Sequence, residues 1–326
     1  RRALHQAIGA ALEAEDAAPS AQRLADLAYH FVAAGEPTRG APYALRAGQQ
    51  ALRASAAGEA SAHFRAALQL LGPDAPFDAR LVGLMGLGDG LTLQGDYDGA
   101  AEAFQSALTW CLQGDDGLAA ARACLRLGQV RWRQEAVNEA RAAFEQALAL
   151  LGSEARPTTA EALLLLADLH ATSLGRTVEG ATYARQAVAM AERLDERRLS
   201  AVANTVLGNA LARGGDLAGG QAALEHALGL AQALDDPAVT AEACAHLASL
   251  AAWRGDLDQS RVLSLQRAAL ARRTQDLFHL RHVYAWLGLH DTLQGRWDEA
   301  ERWFAEQAPI VEELHTPEPR ATLLTY

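Results

Sequence analysis

Apolar residues, mostly Ala and Leu, recur along this chain at the spacing of one helical face, and Gly and Asp cut the stripes at regular intervals. The stretch LGNALARGGDLAGGQAALEHAL, Leu207 to Leu228, superimposes without a gap on LGDGLTLQGDYDGAAEAFQSAL, Leu87 to Leu108, and on LGLHDTLQGRWDEAERWFAEQA, Leu287 to Ala308. Gly95, Gly175, Gly215, Gly255 and Gly295 stand 40 or 80 residues apart, with Glu135 in the remaining slot. A second small-residue slot keeps the same step through Gly88, Gly128, Gly208, Ala248 and Gly288, with Asp168 as the exception. Later in each unit come Ala100, Ala140, Gly180, Gly220, Ser260 and Ala300, and then Phe104, Phe144, Ala184, Leu224, Ser264 and Phe304.

This periodicity predicts two antiparallel helices per repeat. Gly208 belongs to the packed stripe of a first helix, where the missing side chain lets the second helix approach closely. Gly215 ends that helix in the left-handed conformation, and Asp216 caps the next one, as Asp96 and Asp256 would. The linkers between repeats follow the same step: Asp116, Glu196, Asp236 and Asp276 each precede a first helix, and Pro237 occupies a first-turn position where Pro is tolerated. The acidic pairs Asp115/Asp116, Asp195/Glu196 and Asp235/Asp236 are therefore read as helix-start chemistry and not as catalytic carboxylates.

Composition narrows the class further. Half of the 326 residues are hydrophobic but only 6% are aromatic, and the scarcity of β-branched residues favours an all-α protein. All 29 cationic side chains are Arg. A P-loop lysine, a kinase-type phosphate-binding lysine and a Schiff-base lysine are thereby excluded within this chain. A net charge of -11 argues against direct nucleic-acid binding, which requires a basic footprint. Cys111, Cys124 and Cys244 are widely spaced within helical pattern and read as small buried hydrophobes in a reducing compartment. The apolar run ALLLLADL, Ala162 to Leu169, is too short to span a bilayer. With no signal-peptide pattern at Arg1, the reading is a soluble, cytoplasmic piece of a longer protein.

The Leu-Gly pair, the Gly-Asp turn and the Ala/Phe/Ala series, with Ala100, Phe104 and Ala107 the cleanest copy, resemble the tetratricopeptide repeat. The unit here is 40 residues, against the usual length of about 34. It is similar to the longer repeats in the sensor domain of the bacterial maltose activator and related regulators. The resemblance implies a right-handed α-α superhelix, a solenoid of about 40-residue repeats, with six hairpins over 81–320, a helical segment over 1–80 leading into them, and the start of a truncated repeat at 321–326. In the first segment, His30 and Phe31 before Ala34, Gly35 and Glu36 resemble the region that follows the nucleotide-binding and winged-helix parts of bacterial signalling ATPases. That class includes maltose-activator-like, LuxR-type and antibiotic-regulatory proteins. The chain itself shows no ATPase motif and no helix-turn-helix.

No enzymatic constellation emerges. His279, His282 and His290 could be imagined around a metal, but no HExxH accompanies them, and neither metal nor cofactor is expected. GLMGLGDG, Gly83 to Gly90, imitates a dinucleotide fingerprint without the preceding strand that motif requires. The expected working surface is the concave face of the solenoid, lined by first helices. Counting from Leu81, Ala121, Glu161, Ala201, Ala241 and Arg281, the resemblance places positions 2, 5, 9, 12 and 13 there. Those positions give Arg122, Gln129, Trp132 and Arg133 in one repeat, Asn209 and Arg213 two repeats on, then Glu242, Ser249 and Trp253, then His282 and Thr292, with Leu125, Leu165 and Leu169 apolar between them. The stripe suits a peptide, an acidic segment or a polar small effector, with Arg supplying charge-assisted bonds and Trp apolar contact. Trp132 and Trp253 could equally pack against neighbouring helices. The expected role is a non-enzymatic sensor or protein-interaction domain of a larger bacterial transcription regulator, with a free-standing scaffold as the alternative. Neither membrane nor nucleic acid is an expected partner, and Leu323, Leu324 and Tyr326 at an uncapped end would favour homodimerisation.

Overall fold

The computed structural model describes residues 1–15, 20–72, 75–274 and 276–313. Among them the chain is all-helical, without a strand, and divides into two compact units, residues 1–154 and 155–326. The residues of the expected truncated repeat, 321–326, lie outside the described residues.

The first unit holds α1 (Arg2–Glu15), α2 (Ala21–Ala33), α3 (Pro37–Arg53), α4 (Ala57–Leu70), α5 (Phe77–Gln94), α6 (Tyr97–Gln113), α7 (Gly117–Arg133) and α8 (Val137–Leu151). Each packs against its successor, and α3 also touches α5. One device recurs through the unit: a glycine on one helix receives an aromatic ring from a neighbour. A Cβ placed on Gly88 would stand 2.5 Å from the Phe104 ring, and one on Gly128 would stand 2.4 Å from Phe144. The same arrangement sets Gly86 against Phe64 and Gly9 against Phe31, so it extends into the first eighty residues. All four Phe rings are essentially sealed from solvent. Large ring and absent side chain together reach crystal-like packing between two close backbones.

The second unit holds α9 (Pro157–Asp168), α10 (Thr177–Arg193), α11 (Arg197–Arg213), α12 (Leu217–Ala233), α13 (Pro237–Trp253), α14 (Leu257–Thr274), α15 (Leu277–Leu293) and α16 (Trp297–Glu313). Successive helices again pack together, and α11 touches both α9 and α13, bringing three first helices side by side. Here the packing device is uneven. Gly288 faces Phe304 and Gly208 faces Leu224, but Asp168 and Ala184 occupy those two slots in the α9–α10 pair, and Ala248 and Ser264 occupy them in the α13–α14 pair. The helix begun by α9 also ends differently from the rest, in a π-helical turn, Leu169–Ser173.

The turn chemistry follows the sequence closely. Gly95, Gly175, Gly215, Gly255 and Gly295 all take positive φ, and Glu135 takes the same conformation at 61° despite its side chain. Asp96, Asp216 and Asp256 accept from the backbone N–H three residues on, at 2.9–3.0 Å. The acidic pairs divide the labour. Asp115, Asp195 and Asp235 adopt positive φ, Asp116 and Asp236 cap the helix that follows, and Glu196 makes no side-chain cap. Asp236 accepts from both Ala238 and Val239, and the Val239 N–H leads the interactions that hold its carboxyl below the usual range. The three cysteines are free and buried, and burial lifts each thiol to about 11. Among the described residues no helix is long and apolar enough to cross a membrane.

Candidate functional site

A cavity of about 730 Å³ lies within the second unit. Its walls come mainly from first helices. From α11 come Val202, Val206, Asn209 and Arg213, and from α13 come Glu242, His246, Ser249 and Trp253. Each set is spaced i, i+4, i+7, i+11, which is one continuous stripe on a helix. The two stripes share a register because the helices are one repeat apart. Asp168 and Thr172 close one side from α9 and its π turn, Asp276 and His279 close the other at the start of α15, and α14 contributes Leu270, Ala271 and Thr274.

The polar groups fall into two sets. One is saturated. His279 donates to Asp276 at 2.7 Å through Nδ1 and to Glu242 at 2.9 Å through Nε2, so both ring nitrogens face carboxylates. The Glu242 bond leads the effects that raise the His279 pKa, and reciprocally the His279 bond holds Glu242 below its usual range against burial. Arg198 bonds Asp236 at 2.7 Å. The other set faces the cavity with capacity to spare. Asn209, 8% exposed, makes no side-chain hydrogen bond among the described residues. Arg213 commits its Nε to the Ala171 carbonyl at 3.1 Å. That carbonyl belongs to the π turn, so the irregular end of α9 anchors the Arg213 stem. Asp168 carries a carboxyl raised to about 6, chiefly by burial and further by the charge of Glu242, with Arg213 opposing. Trp253 is half exposed at one end, where a shallower depression lined also by Thr172, Thr177 and Arg213 adjoins it.

Five of the residues selected from the sequence, Asn209, Arg213, Glu242, Ser249 and Trp253, thus meet around one cavity. His282 does not line it. Its ring lies 2.7 Å from the guanidinium of Arg281, and burial with that neighbouring charge lowers its pKa to about 4. Arg122, Gln129, Trp132 and Arg133 lie on α7 in the first unit, where Trp132 meets Phe144 edge-on at 6.4 Å between ring centroids. The cavity residues outside that selection include Val206, His246, His279 and Asp168. Val206 and His246 sit at position 6, which completes the i, i+4, i+7, i+11 stripe better than position 5. His279 precedes the counted register. Asp168 was visible as the one acidic residue in a slot otherwise filled by Gly or Ala.

The model of the tetratricopeptide-repeat family matches residues 80–153. No curated protein matches the chain. Several solved structures share the fold. A Rap protein complexed with competence and sporulation factor aligns with 87% of this chain and 79% of its own at 16% identity and a TM-score of 0.63. A Rap conjugation gene regulator in complex with the Phr* peptide aligns with 89% and 79% at 15% identity and a TM-score of 0.58. A signal transduction ATPase with numerous domains and a tetratricopeptide repeat sensor, from Pyrococcus horikoshii, aligns with 99% of this chain and 55% of its own, at 13% identity and a TM-score of 0.59. The chain therefore spans about half the length of that ATPase. These likenesses establish a helical-repeat fold of tetratricopeptide type, an architecture suited to protein interaction.

Proposed function

We propose that the second-unit cavity recognises a short peptide segment, and that the chain is the non-enzymatic sensor or interaction domain of a larger bacterial transcription regulator. The observation that carries the reading is Asn209: a primary amide on a residue 8% exposed, without a side-chain hydrogen bond among the described residues, on the wall of a cavity of about 730 Å³. An amide offers a donor and an acceptor side by side, which matches the C=O and N–H of a peptide group. Around it, Val202, Val206, Val239 and Trp253 offer apolar contact for side chains, while Arg213 and Asp168 offer one charge of each sign. The volume falls within the range of sites that enclose small ligands, enough for a few residues of an extended segment. One structural neighbour is in complex with the Phr* peptide, another with competence and sporulation factor, and a third carries its repeats as the sensor of an ATPase, which supports placing this domain in a regulator. Ligand binding would act there by favouring one of two arrangements of the larger protein.

The test is selection of short random peptides on the chain, followed by calorimetric titration. Asn209→Ala, Arg213→Ala and Trp253→Ala are each expected to weaken the selected peptides by roughly tenfold or more. Arg122→Ala and Arg133→Ala, on α7, are expected to leave them unchanged. Peptides insensitive to the first three substitutions would sink the reading and return the scaffold alternative to the front.

A further inference from the structure

The α13–α14 pair contains a second, smaller cavity, of about 190 Å³, and its origin lies in the repeat itself. Where Phe104, Phe144 and Phe304 fill the hairpin interior elsewhere, this pair has Ser264; where Ala100, Ala140 and Ala300 stand, it has Ser260. Losing an aromatic ring vacates volume, and here the vacated space is lined by polar groups instead of being closed by apolar ones. Its walls include Ser260, Ser264, Arg267, Trp286 and His290, together with Glu242, His246 and Ser249, the last three being the α13 ridge that also walls the larger cavity.

These groups are under-satisfied. His290 is 2% exposed; its Nδ1 meets Ser260 Oγ at 3.3 Å, while its buried Nε2 has no hydrogen-bond partner among the described residues. The buried Nε of Arg267 has none either; the charges of Glu242 and Asp276 act on the guanidinium, but among the described residues no carboxylate pairs with it within 4.0 Å. Buried polar atoms are paired in the great majority of cases, so two orphans on one small cavity mark a place for an incoming group. The complement is donor-rich: a guanidinium, two hydroxyls and imidazole nitrogens. The one carboxylate in the wall, Glu242, is already engaged by His279, and its second oxygen lies 4.0 Å from His246. Trp286 stands edge-on to His290, with ring centroids 5.5 Å apart, and forms an apolar wall.

We propose that this pocket receives a carboxylate of the ligand held in the adjoining groove, with Arg267 as the charge-assisted donor and Ser264 and His290 completing its hydrogen bonds. The proposal rests on the peptide reading of the groove, and the carboxylate can come from an acidic side chain or from a peptide C-terminus. Burial lowers the pKa of both His290 and His246, which favours the neutral rings, and a neutral imidazole can still donate. One Arg with neutral donors matches a single negative charge.

The test has two arms on the intact chain. In the first, propionate and propionamide are titrated at constant ionic strength while the thermal midpoint is followed. Propionate is expected to give a saturable rise in roughly the millimolar range, as its few atoms allow, and propionamide none. Arg267→Gln should abolish the rise, as should Ser264→Phe, which refills the pocket with the side chain other hairpins carry and keeps the test alive should the Arg267 variant not fold. Equal responses to acid and amide, or a rise that survives these substitutions, would overturn the proposal. In the second arm, selected peptides should carry a carboxylate at one fixed place. Neutralising it, by Glu to Gln for a side chain or by amidation for a C-terminus, should weaken binding roughly tenfold or more in the parent and not in Arg267→Gln. Peptides that depend on Asn209 but not on any carboxylate keep the groove reading and sink the pocket. A propionate response through Arg267 in a chain that selects no peptide supports the carboxylate site and overturns the peptide reading instead.

Discussion

The hairpins of α5 to α8 and those of α9 to α14 are built from one template and spend it differently. In the first set Gly88 with Phe104 and Gly128 with Phe144 repeat without variation, and the family model matches this stretch. In the second set Asp168 replaces a glycine, Ala184 and Ser264 replace phenylalanines, and the cavities lie where the template is broken. Faithful repeats bury apolar surface. Departures exchange some of that packing for polar groups facing open space. In a solenoid, where each repeat rests on its neighbours, such an exchange stays local.

The comparison breaks first at its strongest contact. Phe144→Ala is expected to destabilise the chain by about 3–5 kcal/mol, whereas Ser264→Ala at the equivalent position should cost no more than ~1 kcal/mol. Urea unfolding followed by circular dichroism compares the two, and equal losses would show that the two hairpins are packed alike.

Next comes Asp168. Its carboxyl is raised from 3.8 to about 6, so the folded chain holds that proton more tightly than the unfolded chain does. The resulting stability is complete below the unfolded value and is lost as pH rises through the folded one. Asp168→Asn cannot ionise and escapes that loss. The variant should exceed the parent in stability by on the order of 2 kcal/mol near neutral pH, and the gain should vanish near pH 4. Thermal midpoints across that window decide it, and a pH-independent difference would contradict the cause assigned to the shift.

The smallest effect belongs to a turn. Glu135 holds φ at 61°, where five other repeats place glycine. Glu135→Gly relieves left-handed strain and gives back some chain entropy, for a net gain of about 0.5–1 kcal/mol in the same urea experiment. A loss would mean that the Glu135 side chain contributes more than its backbone costs.

Much of this architecture is legible in the residues because it is punctuated locally. A Gly that must take positive φ and an Asp that must cap leave marks at fixed spacing, and those marks give helix ends to within a residue or two. Part of the candidate site is legible for the same reason, since positions 2, 9 and 13 of α11 and α13 follow from the register. What is hidden depends on neighbours. The π turn after α9 changes no residue pattern, yet it presents the Ala171 carbonyl to Arg213. Ser264 stands out in the phenylalanine series, but whether a vacated volume closes or stays open is set by Trp286, His290 and Arg267 on elements that sequence spacing does not bring together. Position 6, Val206 and His246, continues the helical stripe of these two helices but lies outside the groove positions of the general repeat.

The three buried thiols carry a consequence of their own. With each thiol raised to about 11, almost none is thiolate at neutral pH, and each is sealed from solvent. Alkylation must then wait for a hairpin to breathe. Cys111 and Cys124 keep time for the regular hairpins and Cys244 for the helix that walls both cavities, so the molecule carries its own pair of clocks for comparing how often scaffold and site come open.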